Sequence, residues 1–321
     1  MDTASLAGRA RALLAPIIAG LARWKVPLRI AFVAAMAGLV AWQLWSIGLA
    51  ALAAQIPTNP LFYIIYWAGF AVLPASEMLI YRTIWPSAPR APFLALLRKR
   101  VLNNVVLGYS GDVWFLLWAR TRLGVPDRRL LAGLKDSSLL SGAASSAITA
   151  AIALAFILTG HGEGMARAMG ARTVDVWIGL AALAVLVALA LRFGHRILWI
   201  GGRAAARVFA IHVGRIGLVQ LAQVLQWMVA LPLVPFETWL MFLTVQMLVN
   251  QLPFVPNRDL LFLALGVELT ALVGTDEAGL AAMLVSATLL KQATNYSALA
   301  LTMLLRDSAA TAPRGAPGVE R

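Results

Sequence analysis

Six stretches of the chain are apolar for long enough to exclude a water-soluble fold: Leu28–Gln55, Leu61–Tyr81, Ser138–Thr159, Val174–Leu191, Ile216–Leu231 and Gly279–Leu305. A helix of about 20 apolar residues crosses a hydrocarbon core of roughly 30 Å. In lipid, every backbone polar group must find its partner within the protein, which a helix does by itself. The sequence therefore predicts an all-α fold, a polytopic transmembrane helix bundle with six full spans. Composition agrees, since 61% of the 321 residues are hydrophobic and 13% charged, far from the proportions of a soluble domain. The first run is too long for a signal-peptide core and has no convincing cleavage site, so it reads as a retained span.

The net charge of +13 raises the question of nucleic acid, and the placement of the 27 Lys and Arg residues argues against it. They gather between apolar runs: Arg9 to Arg29, Arg82 to Arg100, Arg120 to Lys135, Arg192 to Arg215, and Arg306 to Arg321. The positive-inside rule assigns these clusters to the cytoplasm, along with both termini. A basic face against an anionic inner leaflet accounts for the charge, with no nucleic-acid partner. Residues 1–27 are expected to form a cytoplasmic segment with an interfacial helix, residues 28–305 a single transmembrane domain, and residues 306–321 a disordered cytoplasmic tail. The segments Arg90–Arg100 and Arg192–Arg215 read as basic membrane-surface helices, and Trp24, Trp85, Trp199 and Trp239 as interfacial anchors. Cysteine is absent and the three histidines lack ligand spacing, so neither a metal nor another cofactor is expected.

Two regions do not fit as ordinary spans. Val101 to Ala119 lies between two cytoplasmic clusters, and Glu237 to Val273 lies between two external turns. Each breaks in the middle, the first at Gly108, Ser110 and Gly111, the second at Pro253, Pro256 and Asn257. Glycine and proline stop the helical ladder, so each region is expected to be a re-entrant hairpin with its tip buried in protein or in a wet cavity. The tips also read alike. Asn103 to Asp112 is "NNVVLGYSGD" and Asn250 to Asp259 is "NQLPFVPNRD". With the hairpins entering from opposite sides, the order span, hairpin, span makes an inverted repeat, about 61–160 and about 215–305. Such repeats typify proteins that alternate access between the two faces of a membrane.

Ionisable residues at membrane depth are costly and point to function. Asp112, Arg258 and Asp259 fall at the hairpin tips, and Lys291 falls near the middle of the last run, with Asn295 one turn on. Their formal charges cancel, as buried charges should. These five residues form the candidate substrate path, supported by Asn103, Asn250, Gln223, Glu77 and Glu268. A structural charge network is the competing reading. Glu77 and Glu268 lie nearer the ends of their runs and are expected to snorkel to an interface. The series Gln220, Gln223, Gln226 and the small-residue face from Ser141 to Thr149 suit interhelical packing. No catalytic residues are assigned, because no nucleophile elbow, paired-carboxylate site or Ser, His, Asp arrangement is present.

The basic stretch running into "NNVVLGYSGDVWFLLWARTRLG", together with "VNQLPFVPNRDLLFLALGVELTALVGTDEAGLAAMLVSATLLKQATN", resembles the transmembrane region of the bacterial lysylphosphatidylglycerol synthetase/flippase family, also called flippase-like. Gly111 and Asp112 fit the first family element. At the second, relatives carry a Gly-rich turn ending in glutamate, where this chain has Pro256, Asn257, Arg258 and Asp259. The resemblance implies a bacterial inner-membrane flippase or transporter that moves a lipid or lipid-linked sugar between leaflets. Its ligands would be membrane lipids with a phosphate or sugar headgroup. The alternative expectation is a non-catalytic membrane partner of an envelope-lipid or polysaccharide biosynthetic enzyme, or a homo-oligomer. No synthetase domain is expected after the short polar tail "APRGAPGVER".

Overall fold

A computed structural model describes residues 56–105, 109–156, 197–251, 258–273 and 277–304, with isolated positions elsewhere. The expected spans Leu28–Gln55 and Val174–Leu191 lie outside the described residues. Those described are helical: α1 (Pro60–Ile84), α2 (Phe93–Val105), α3 (Ser110–Arg122), α4 (Asp127–Phe156), α5 (Gly202–Ala230), α6 (Phe236–Gln251), α7 (Arg258–Val273) and α8 (Glu277–Leu304). No strand occurs among them. Among the described residues three helices, α1, α4 and α5, are long and apolar enough to cross a membrane. Their outer faces are apolar too. Leu61, Ile64 and Trp67 on α1, and Leu218, Leu221, Leu225 and Met228 on α5, are exposed at helical spacing, as a lipid-facing surface requires.

The long helices begin further into the basic segments than hydropathy suggested. α4 starts at Asp127, directly after Pro126, instead of Ser138. α5 starts at Gly202 instead of Ile216. Arg, Lys, Ala and Leu are all good helix formers, so the helix runs on where hydropathy falls. At about 1.5 Å per residue such helices outreach a hydrocarbon core of roughly 30 Å. α1 starts cleanly because the Asn59 side chain accepts from Leu61 N at 3.0 Å and Pro60 occupies the first turn, where no N–H is missed.

The molecule divides into two units, one comprising residues 59–232 with 289–321, the other residues 1–58 with 233–288. In the first, α5 packs along both α1 and α4, and the α2–α3 pair packs against α1. Gly69 permits the close α1–α5 approach, since a Cβ there would meet the Ala222 methyl at 3.3 Å. An apolar core joins Ile80, Leu96, Phe115, Leu130 and Val208, and a smaller one joins Phe70, Leu97 and Val101 to Ala298 of α8. In the second unit α6 packs on α7, with Phe242 edge-on to Phe262 at 6.5 Å. Gly266 makes room there for Leu284 of α8, whose Cδ1 would lie 2.7 Å from an added Cβ.

Each expected hairpin region holds two helices. The first holds α2 and α3, which pack together and extend beyond the expected region at each end. The second holds α6, ending at Gln251, and α7, starting at Arg258; the expected break points Gly108, Pro253, Pro256 and Asn257 lie outside the described residues.

Candidate functional site

The first hairpin is closed by side chains as much as by backbone. Tyr109 takes the left-handed conformation with φ 71°, uncommon for a residue with a Cβ. Ser110 Oγ donates to Leu102 O at 2.7 Å. Asn103 Oδ1 then accepts from the amides of Gly111 at 2.7 Å and Asp112 at 3.3 Å. Those amides are in the first turn of α3, where no intrahelical acceptor exists, so a side chain on α2 caps α3 from outside. Gly111 is obligatory in this arrangement, because a Cβ would lie 1.8 Å from Lys99 O. The other half of the Asn103 amide donates to Asp112 Oδ2 at 2.9 Å. The Asn and Asp that bracket the first tip sequence thus bind one another.

Asp112 faces a buried lysine. Lys99 Nζ lies 2.6 Å from Glu77 Oε1, 2.6 Å from Tyr81 Oη and 3.2 Å from Asp112 Oδ1. An ammonium has three N–H donors, and Lys99 has three oxygen partners. Tyr81 and Phe115 stack at 4.9 Å, and the ammonium sits 5.1 Å and 5.7 Å from their ring centroids. The periodicity of α1 and α2 explains the convergence. Glu77 and Tyr81 are one turn apart, as are Lys99 and Asn103, so each helix presents two polar groups on one face.

Beside this cluster α1 carries Pro74 in its interior, which removes the N–H that would have bonded to the Phe70 carbonyl. Arg100 Nη1 donates to that carbonyl instead, its guanidinium 4.0 Å from the Phe70 ring centroid. Arg215 of α5 donates to Ser141 Oγ of α4 at 2.9 Å. Further along, Asp136 is fully buried and accepts from the Trp199 and Ile200 amides at 2.7 and 2.9 Å, anchoring the turn that leads into α5.

Of the residues expected from sequence, Asp112, Asn103 and Glu77 come together here. Glu77 does not snorkel. It is buried and paired with Lys99, a partner supplied by the neighbouring α2. Asn295 is buried and accepts from Asn104 Nδ2 at 3.2 Å, and Lys291, half-buried one turn before it, belongs to the same unit. Gln223 is half-buried on α5, away from these contacts by one turn from buried Gln226. Arg258 is exposed at the start of α7, and Asn250 is exposed on α6. The side chains of Asp259 and Glu268 lie outside the described residues. Arg258 and Asp259 belong to the other unit.

Sequence reasoning missed Lys99, Tyr81, Arg100 and Arg215. Lys99 and Arg100 were read as part of a surface helix, Arg90–Arg100, but Lys99 is buried. Trp85 and Trp239 are also buried in the protein instead of standing as interfacial anchors, while Trp199 remains half exposed. Among the described residues no three His, Asp or Glu side chains gather as a metal would require. No protein-family model matches the chain, and no curated protein matches it.

Proposed function

We propose that this chain is an integral membrane protein that moves a lipid, or a lipid-linked sugar, between the leaflets of a bacterial inner membrane, with both termini in the cytoplasm. The observation that carries the reading is the buried Glu77, Lys99, Asp112 cluster, held between a helix long enough to span and a helix pair broken at Tyr109. Ionisable side chains inside a membrane bundle mark substrate or ion paths, and broken helices at depth line polar cavities. The resemblance to the flippase-like family points the same way. On this reading the second hairpin, with Arg258 and Asp259, completes an inverted repeat, and Lys291 and Asn295 continue the path.

The test is translocation of fluorescently labelled lipids in liposomes containing the purified chain, followed by quenching of the outer leaflet. The expected result is movement faster than in protein-free liposomes, lost in Asp112→Asn. A broad headgroup panel with no movement above the protein-free rate refutes the proposal.

A second reading is favoured by one detail. The Lys99 ammonium has all three donors engaged, as in a structural clamp, which suits a non-transporting partner of an envelope-lipid enzyme. Stoichiometric co-purification of such an enzyme, with no lipid movement, selects it.

A further inference from the structure

The tip of the first hairpin holds one side chain in a strained conformation without packing it. Tyr109 has φ 71°, which glycine adopts freely and a residue with a Cβ does not. Glycines stand nearby at 108 and 111, yet a tyrosine occupies the position whose backbone favours glycine. Its side chain is outside the core, since Tyr109 is 71% exposed, so burial of the ring does not offset the strain. Neighbouring bonds hold the backbone there instead: Ser110 to Leu102, the Gly111 and Asp112 amides to Asn103, and Val113 N to Tyr109 O at 3.1 Å. Strain that the surroundings maintain in this way concentrates at functional sites.

The depth of the tip is a second, independent anomaly. As α2 proceeds from Lys99 to Arg100 and Val101, its partners on α1 fall back from Tyr81 and Glu77 to Phe70, and Asn104 then meets Asn295 of α8. Phe70 lies roughly 20 Å from the Ile84 end of α1 at 1.5 Å per residue, which in a spanning helix is near the middle of a core of roughly 30 Å. Tyrosine belongs at the membrane surface, where its hydroxyl reaches water, and a hydroxyl without a partner at depth is costly. Among the described residues the Tyr109 hydroxyl has no hydrogen-bond partner. From Tyr109 an apolar track runs along α3, where Val113 and Leu117 follow at one-turn spacing, 58% and 55% exposed. A hydroxyl at the head of an apolar track has the amphiphilic profile of a membrane lipid.

We propose that Tyr109 is a positioning residue for a lipid at the hairpin tip, its phenol donating to an oxygen of the headgroup while an acyl chain lies along Val113 and Leu117. The contact gives the hydroxyl its partner at depth, and it accounts for a side chain kept where glycine would be free of strain. Any headgroup with an accepting oxygen satisfies the donor, so the residue receives the lipid without selecting its charge. The assignment rests on the reading of the chain as a lipid transporter and adds to it the group that the lipid meets inside the membrane.

The experiment uses the purified full chain in liposomes and has two arms. In the first, lipid movement is measured for Tyr109→Phe and Tyr109→Gly. The phenylalanine variant, which keeps the ring and loses only the hydroxyl, is expected to slow movement by about three- to tenfold, the size of one hydrogen bond, and the glycine variant by at least as much. The melting midpoint of Tyr109→Gly is expected within about 2 °C of wild type, because relief of the left-handed strain offsets the added freedom of the unfolded chain. A slower chain of unchanged stability is what a purely structural tyrosine would not give. In the second arm, phosphatidylglycerol carrying a photoreactive diazirine on its headgroup is irradiated with the wild-type protein, and the labelled residue is located by mass spectrometry. Labelling is expected at the tip around Tyr109, whereas a diazirine midway along the acyl chain is expected to label Val113 or Leu117. Wild-type rates in folded Tyr109→Phe overturn the assignment, as does a large loss of stability in Tyr109→Gly or the absence of headgroup labelling at the tip. Headgroup labelling at Tyr109 in a chain that moves no lipid keeps the site and removes transport. Lipid movement with no labelling there and no effect of either substitution keeps transport and removes the site.

Discussion

Replacing Lys99 by methionine tests whether the three-oxygen cluster holds the first hairpin onto α1. The side chains of Lys99, Glu77 and Asp112 are 7%, 12% and 23% exposed, so the ion pairs are largely shielded from water. Removing one partner of a buried pair leaves an uncompensated charge and costs roughly 3–5 kcal/mol. Here two carboxylates are left facing the same void, which places Lys99→Met toward the upper end. At roughly 2–4 °C per kcal/mol for a chain of this size, the melting midpoint should fall by about 10 °C or more. The readout is tryptophan fluorescence during heating in detergent, with size exclusion to confirm that the starting protein is monodisperse. Adding Glu77→Gln to Lys99→Met removes one stranded charge and should restore a substantial part of the loss. A Lys99→Met protein that melts within about 2 °C of wild type refutes the argument, since a stability change of a few kcal/mol could not be hidden at that slope.

Gly111→Ala should be more damaging than a glycine-to-alanine change inside a helix ordinarily is, because the new methyl overlaps the Lys99 carbonyl; collapse of the folded yield is expected, and wild-type stability would refute the close approach. Asn103→Ala removes the acceptor for two α3 amides and the donor to Asp112, and should cost about 1–2 kcal/mol as a lost cap, read as a lowered melting midpoint. Pro74→Ala returns an N–H to the Phe70 carbonyl, so Arg100→Gln should destabilise less in that background than in wild type. A double-mutant cycle should show a coupling of about 0.5–1 kcal/mol or more between positions 74 and 100, and strict additivity would separate the arginine from the proline.

Hydropathy was enough to find α1 and the interior of α4 and α5, because apolar length is a local property of a chain. The same local reading hid Lys99. A basic residue flanked by Arg98 and Arg100 looks like one more cation on a surface face, and nothing in its neighbourhood shows that a glutamate 22 positions earlier lies 2.6 Å away. A signal was nevertheless present. Glu77 and Tyr81, and Lys99 and Asn103, are matched polar pairs at one-turn spacing in otherwise apolar segments, the pattern of two helices that meet along one polar seam. Asp112 was singled out from its place after an expected glycine break; it lies in the first turn of α3, which starts after the left-handed Tyr109. The snorkelling expected of Glu77 failed because depth along a span was weighed without regard to what packs beside it.

The bond from Arg100 to the Phe70 carbonyl makes the backbone of one helix depend on a side chain of another. α1 runs on through Pro74 with one backbone rung missing, and a donor from α2 takes up the carbonyl left over. Any withdrawal of α2 from α1 therefore leaves a bare carbonyl at the proline, the place where a helix bends with least resistance. The straightness of α1 at its proline is thus tied to the seating of α2.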